Sequence, residues 1–191
     1  MLEKIPHGVG RALRGVRAGF EKVASEDRAF AGLADTIALT SDAFDDGGAL
    51  PPRFTADGEG LSPPLSWTNL PPGAAAAALL VEDPDAPALE PLVHLLAWDL
   101  PADLIALPEG QLRSPGHDGL DESLGKNSFL QAGWLPPDPP TGHGPHLYVF
   151  QLFALDRKLA FEAPPSRGRF LKAIEGHVLA KGMLVATHER P

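Results

Sequence analysis

Doubled prolines punctuate this chain at Pro51-Pro52, Pro63-Pro64 and Pro71-Pro72, and prolines crowd residues 134–145. Proline cannot donate to a sheet ladder and disrupts a helix interior, so each of these places is a loop or a sheet edge. The 21 prolines and 20 glycines among 191 residues exceed the usual shares of about 5% and 7%. A helical bundle is ruled out. What remains is a set of short strands joined by structured loops.

Segments suited to strands lie between the prolines, at residues 37–40, 65–68, 76–82, 93–100 and 146–155. In the last, Leu147, Val149, Gln151 and Phe153 face one way, and Tyr148, Phe150 and Leu152 the other. Both faces are apolar enough to be buried. Residues 169–175 read as a helix stopping at Gly176, and residues 183–187 as a closing strand. Strands spaced by turns rather than by helices predict a mainly β fold, an antiparallel sandwich with a few peripheral helices.

The first 24 residues carry a different signal. Ile5, Val9, Leu13, Val16, Phe20 and Val23 recur at spacings of three or four, which predicts an amphipathic helix. Gly8, Gly10, Gly15 and Gly19 each cost that helix about 1 kcal/mol against alanine. Its apolar stripe is therefore expected to be buried, in a homodimer or against the sandwich. A basic amphipathic segment also suits a membrane surface or a partner helix. The chain divides accordingly into a helical extension, residues 1–36, and a β domain, residues 37–191.

The extension holds six basic and five acidic residues, whereas the rest holds ten basic and twenty acidic. An acidic body repels nucleic-acid phosphates and gives no general attraction to anionic membranes. The longest apolar run, residues 74–81, falls far short of the about twenty residues that cross a bilayer. The extension lacks the apolar centre of a secretory signal, so a cytoplasmic location is expected. Cysteine is absent, which excludes disulfides, thiolate catalysis and cysteine-ligated metals.

Three clusters carry chemistry. Asp83-Pro84-Asp85-Ala86-Pro87 sets two carboxylates one residue apart on a stiff corner, although Asp-Pro pairs also open ordinary turns. His94 sits inside the apolar run Leu92-Val93-His94-Leu95-Leu96, where a histidine is either a hydrogen-bonded core residue or a buried functional one. Pro139-Pro140-Thr141-Gly142-His143-Gly144-Pro145-His146-Leu147-Tyr148 offers backbone N–H groups that can converge on an anion, with two histidines and a tyrosine as further donors. None of these side chains is an obvious nucleophile with a third group placed to activate it.

Several ordered motifs resemble one family. They are Asp57-Gly58-Glu59-Gly60-Leu61-Ser62-Pro63-Pro64-Leu65-Ser66-Trp67, the Asp83 corner, His94, Gly125-Lys126-Asn127-Ser128-Phe129, the Pro-Pro-x-Gly loop ending in His146, and Glu175-Gly176-His177-Val178-Leu179-Ala180. Together they look like the phosphatidylethanolamine-binding protein family, in its bacterial Raf-kinase-inhibitor-like branch. The resemblance spans residues 37–190. It implies a β-sandwich with a small anion-binding pocket lined by Asp83, Asp85, His94 and His146. Tyr148 would lie beside them, and Pro87 and Pro140 would shape the rim. Asp138 and Gly142 complete the candidate ligand-binding set. A histidine that charges near neutrality donates to phosphate oxygens, and a neighbouring carboxylate raises its pKa. The resemblance also implies a cis peptide before His94, at Glu90–Pro91 or Ala86–Pro87. No catalytic residue, metal or cofactor is expected, and zinc on two histidines and two aspartates would be an unusually carboxylate-rich set.

Two positions depart from the family pattern. Leu147 stands where arginine is usual, and Asp138 where a small residue or cysteine is usual. An added carboxylate opposes phosphate by Coulomb repulsion and opens the pocket to a neutral, zwitterionic or cationic ligand. The leading expectation is a non-enzymatic pocket protein for a small phosphorylated or zwitterionic headgroup, modulating a protein partner. Two other classes stay open. One is an inhibitor acting by protein–protein contact, as eukaryotic relatives do on kinases or a protease. The other is a hydrolase or lyase using His94 and His146 as acid and base, with Asp83 as orienter.

Overall fold

The structure, a computed structural model, describes residues 7–30, 32–68, 70–112 and 123–190. In chain order its elements are α1 (His7–Ala12), β1 (Ala38–Thr40), β2 (Gly48–Ala49), β3 (Leu65–Thr68), β4 (Ala76–Asp83), β5 (Leu92–Pro101), β6 (Ala106–Leu107), β7 (His146–Leu155), α2 (Arg167–Ile174) and β8 (Val178–His188). A five-stranded sheet runs β2-β8-β7-β4-β5, and a smaller one runs β1-β3-β6. Neighbouring strands are antiparallel, except that the two-residue β2 lies parallel to β8. The fold is mainly β. No helix among the described residues is long and apolar enough to cross a membrane.

β4 explains why there are two cores. All of its residues are buried. Ala77, Leu79 and Val81 pack toward the smaller sheet with Leu65, Trp67, Leu95 and Phe150. Ala78 and Leu80 face the other way, onto Leu96, Phe153, Phe170 and Ile174, with Ala24 and Phe30 closing the layer. Phe30 meets the Phe153 ring at 5.6 Å. A strand covered on both faces needs no polar register, which is why residues 76–81 are continuously apolar. The N-terminal segment thus contributes to the packed body.

That segment differs from the helix its periodicity predicts. Among the described residues α1 ends at Ala12, and short 3-10 turns follow at Phe20–Lys22 and Ala24–Glu26; Ile5 lies outside the described residues. Glycine prevails over the apolar period, Gly19 taking a φ of 109° that other residues rarely adopt. Nor is the whole stripe buried against the sandwich, one of the two expected places. Val23 is buried, but Val9, Val16 and Phe20 are exposed in the single chain, where backbone and arginine contacts hold this segment to the site loops.

The expected cis bond is likewise corrected. Ala86–Pro87 and Glu90–Pro91 are both trans, the lower-energy isomer. The corner turns instead on the Asp83 carboxylate, whose Oδ1 accepts the Asp85 N–H at 2.8 Å. β8 is longer than residues 183–187, because part of its buried face is Ala180, Gly182 and Ala186, small residues with little hydrophobic signal.

Candidate functional site

β4 and β5 bring the first two clusters together. Asp83 closes β4. On β5, Leu95 pairs with Val81 and Val93 with Glu82, so His94 is the extra residue of a β-bulge, a device that re-aims a side chain. Its Nδ1–H donates to the Leu135 carbonyl at 2.6 Å, and its own carbonyl accepts the Leu135 N–H at 2.8 Å. Asp83, His94 and Asp138 line a narrow cleft with Leu92, Phe129, Leu135 and Pro136. Its enclosed space is about 10 Å³, about the room of one water. Phe129, Leu135, Pro136 and Asp138 also line a wider depression of about 210 Å³ with Ala56 and Gln131.

Two buried polar atoms lack a hydrogen-bond partner here, His94 Nε2 and the Tyr148 hydroxyl. The two rings meet edge to face at 5.0 Å. Buried polar atoms are normally satisfied, so an unpartnered pair beside a cleft marks a place for a ligand's polar group. Burial lowers the His94 pKa below the usual histidine range, against the opposing pull of Asp83. The ring is therefore neutral near pH 7, and with Nδ1–H committed, Nε2 is an acceptor. Burial, with Asp83 adding to it, raises the Tyr148 phenol well above its usual value.

His146 stands behind this cleft rather than in it. Its Nδ1–H donates to Asp83 Oδ2 at 2.7 Å. Its Nε2 meets His143 Nδ1 at 2.8 Å, and His143 Nε2–H donates to the Leu13 carbonyl at 2.8 Å. Burial, and then the neighbouring imidazole, lower the His143 pKa. The N-terminal segment braces both loops around this line. Ala18 and Gly19 donate N–H to the carbonyls of Ala86 and Pro84 at 3.1 and 2.9 Å. Arg14 Nε–H donates to the Gly142 carbonyl at 3.2 Å, and Arg17 donates to the Pro145 carbonyl at 3.0 Å while pairing with Asp85. A Cβ on Gly10 would lie 2.2 Å from the Thr141 carbonyl oxygen, so only glycine permits that approach.

Asp138 is not a bare repulsive charge. Arg190 pairs with it and donates to both Asp57 oxygens, through Nε at 2.8 Å and the second terminal nitrogen at 2.6 Å. This two-pronged contact holds the Asp57 carboxyl below its usual range.

The candidate residues thus divide. Asp83, His94 and Asp138 line the cleft, and His146 and Tyr148 stand directly behind. Asp85, Pro87, Pro140 and Gly142 do not line it. The Asp85 carboxylate instead accepts the Leu147 N–H at 2.7 Å. The loop N–H groups expected to converge on an anion are engaged internally, Gly142 with the Arg190 carbonyl and His143 with that of Pro140. Sequence reasoning missed Arg190 and the apolar wall of Leu92, Phe129, Leu135 and Pro136. Only the arginine missing at position 147 hinted that a guanidinium arrives from elsewhere.

The family model for phosphatidylethanolamine-binding proteins matches residues 40–189. A UPF0098 protein of Methanothermobacter thermautotrophicus is 38% identical over 152 residues, 80% of this chain and 98% of its own length. A phosphatidylethanolamine-binding protein homologue from Chlamydia trachomatis superposes with a TM-score of 0.73 at 31% identity, covering 83% of this chain and all of its own. Escherichia coli YbcL, a member of the mammalian family, gives a TM-score of 0.75 at 27% identity, covering 81% and 99%.

Proposed function

The chain belongs to the phosphatidylethanolamine-binding protein family, and on that premise we propose that its Asp83–His94 cleft binds a small polar ligand without transforming it. The observation that carries this reading is the unpartnered His94 Nε2 beside the unpartnered Tyr148 hydroxyl. Near pH 7 the cleft meets a ligand with an acceptor nitrogen and two carboxylates, Asp83 and Asp138. A hydroxyl or ammonium donor fits that set directly. A phosphate oxygen can accept from the Tyr148 hydroxyl, but it gains a second donor only once His94 takes up a proton, and the two carboxylates oppose it, so a zwitterion suits the cleft better than inorganic phosphate. Arg190 offsets part of the repulsion that Asp138 exerts on phosphate. Against turnover stands the absence of an activated nucleophile among these residues. His146 is committed to Asp83 and His143, and the Tyr148 phenol is held protonated.

Titration calorimetry with phosphoethanolamine and with inorganic phosphate tests this. Phosphoethanolamine is expected to bind more tightly, and phosphate affinity to fall as pH rises from about 5.5 to about 8. His94→Phe should weaken both by about tenfold or more. No binding of either probe at millimolar concentration, or unchanged affinity in His94→Phe, overturns the reading.

A further inference from the structure

We propose that Asp83, His146 and His143 together hold one proton more than two neutral imidazoles carry, and that this proton fastens residues 13–19 to the loops of the site. Three hydrogen bonds run in line. They join Asp83 Oδ2 to His146 Nδ1, His146 Nε2 to His143 Nδ1, and His143 Nε2 to the Leu13 carbonyl, at 2.7, 2.8 and 2.8 Å. Each needs one hydrogen between its two atoms, and both ends of the line, a carboxylate and a carbonyl, are acceptors. Two neutral imidazoles bring two hydrogens. Three bonds need three, so one ring is an imidazolium, balanced by Asp83.

Burial and the adjacent imidazole disfavour a charge on His143, and Arg17 adds to that. The third hydrogen lies in the junction between His146 Nε2 and His143 Nδ1, with the Asp83 carboxylate balancing its charge. The other groups facing the pair are Asp85 on the corner, Arg14 and Arg17 on the N-terminal segment, His94 at the cleft and His188 opposite on β8, itself engaged with Asp57. Burial lowers both His94 and His188, so neither changes charge above the usual histidine range. Carboxylates and guanidinium groups ordinarily titrate outside it.

The docked state holds this proton, and a released segment leaves the rings free to hydrogen-bond water instead. Docking is therefore strongest below the histidine range and weakens as pH rises through it. Once the proton leaves, two hydrogens serve three junctions, and one junction becomes two lone pairs facing each other. The Leu13 junction is the one that opens, because Asp83 and His146 are buried while Leu13 is half-buried at the surface.

Amide exchange at Ala18 and Gly19, whose N–H groups hold the Asp83 corner, reads docking directly in ligand-free protein. Their protection factors, corrected for intrinsic exchange, are expected to fall about tenfold between about pH 6 and about pH 8.5, while those of β7 hold. Asp83→Asn supplies the missing hydrogen permanently. Its Oδ1 still accepts the Asp85 N–H, and its amide donates to a neutral His146, reversing the line. In that variant protection should stay high at both pH values. Equal protection in the wild type, or the same fall in Asp83→Asn, overturns the proposal. If the variant does not fold, nitrogen-15 histidine spectra of the native protein count the ring hydrogens. Three across His143 and His146 near pH 6 support it, and two throughout overturn it.

Discussion

Glu82 and Asp83 are neighbours on β4, and each ties the N-terminal segment to the sheet by a different chemistry. Glu82 is wholly buried. Its Oε2 accepts the Ala24 N–H at 2.8 Å and the Gln151 amide at 2.9 Å, and its Oε1 accepts the Arg167 guanidinium. Gln151 in turn accepts the Ser25 N–H at 2.7 Å. Asp83 reaches Leu13 only through two imidazoles. Successive residues of a strand face opposite ways, so one carboxylate faces the α2 side and the other the cleft. On the Glu82 side every hydrogen is permanent. On the Asp83 side one hydrogen can leave, so the same anchoring task is structural in one place and responsive in the other.

Removing Glu82 gives the largest expected effect. Glu82→Ala strands the Arg167 guanidinium, the Gln151 amide and the Ala24 N–H. Losing one partner of a buried pair costs about 3–5 kcal/mol, and the partial exposure of Arg167 points to the lower end. Denaturant unfolding should show that loss equally at about pH 6 and about pH 8, because arginine and amide hydrogens do not titrate there. A loss under about 1 kcal/mol, the value of a surface pair, would break the comparison.

The cleft side should add to the acid sensitivity of the fold, beside His143 and His188, whose pKa values burial also lowers. His94 is buried with its pKa lowered, so the unfolded chain binds a proton that the folded chain resists. The corresponding stability is fully present above the unfolded histidine value of about 6.5 and is lost as pH falls below it, by up to about 1.4 kcal/mol per pH unit. His94→Phe should flatten that limb in unfolding measured from about pH 7 to about pH 5. An unchanged slope would assign the acid sensitivity to other groups.

The contrast between the two carboxylates was only half legible in the chain. β7 announced itself because both its faces alternate with large apolar side chains, and Asp83 and His94 stood out as polar residues beside apolar runs. Glu82 did not, because it ends the same apolar run and its partners Ala24, Gln151 and Arg167 lie 58 to 85 residues away. Arg190 was hidden for the same reason, meeting Asp57 across 133 residues. The N-terminal stripe misled more directly. Its period is genuine, but four glycines removed the helical preference, and arginine and backbone contacts to the site loops set the path. His143 was visible as a loop donor, whereas its acceptor, a main-chain carbonyl, carries no side-chain signature at all.

The smallest effect separates charge from proton on the Asp83 side. Arg17 pairs with Asp85 and donates to the Pro145 carbonyl at 3.0 Å, with side-chain exposures of 31% and 15% for the ion pair. A pair this open to solvent contributes about 0.2–1 kcal/mol. Arg17→Ala should therefore lower protection at Ala18 and Gly19 only about two- to fivefold, and less in about 0.5 M salt, where the lost attraction was already screened. The positive charge of Arg17 also opposes protonation of the imidazoles, so its removal should move the pH at which protection falls slightly upward. The fall itself should remain. If Arg17→Ala abolishes the pH dependence, the ion pair and not the shared proton fastens the segment, and the Asp83 anchor becomes a weaker version of the Glu82 one.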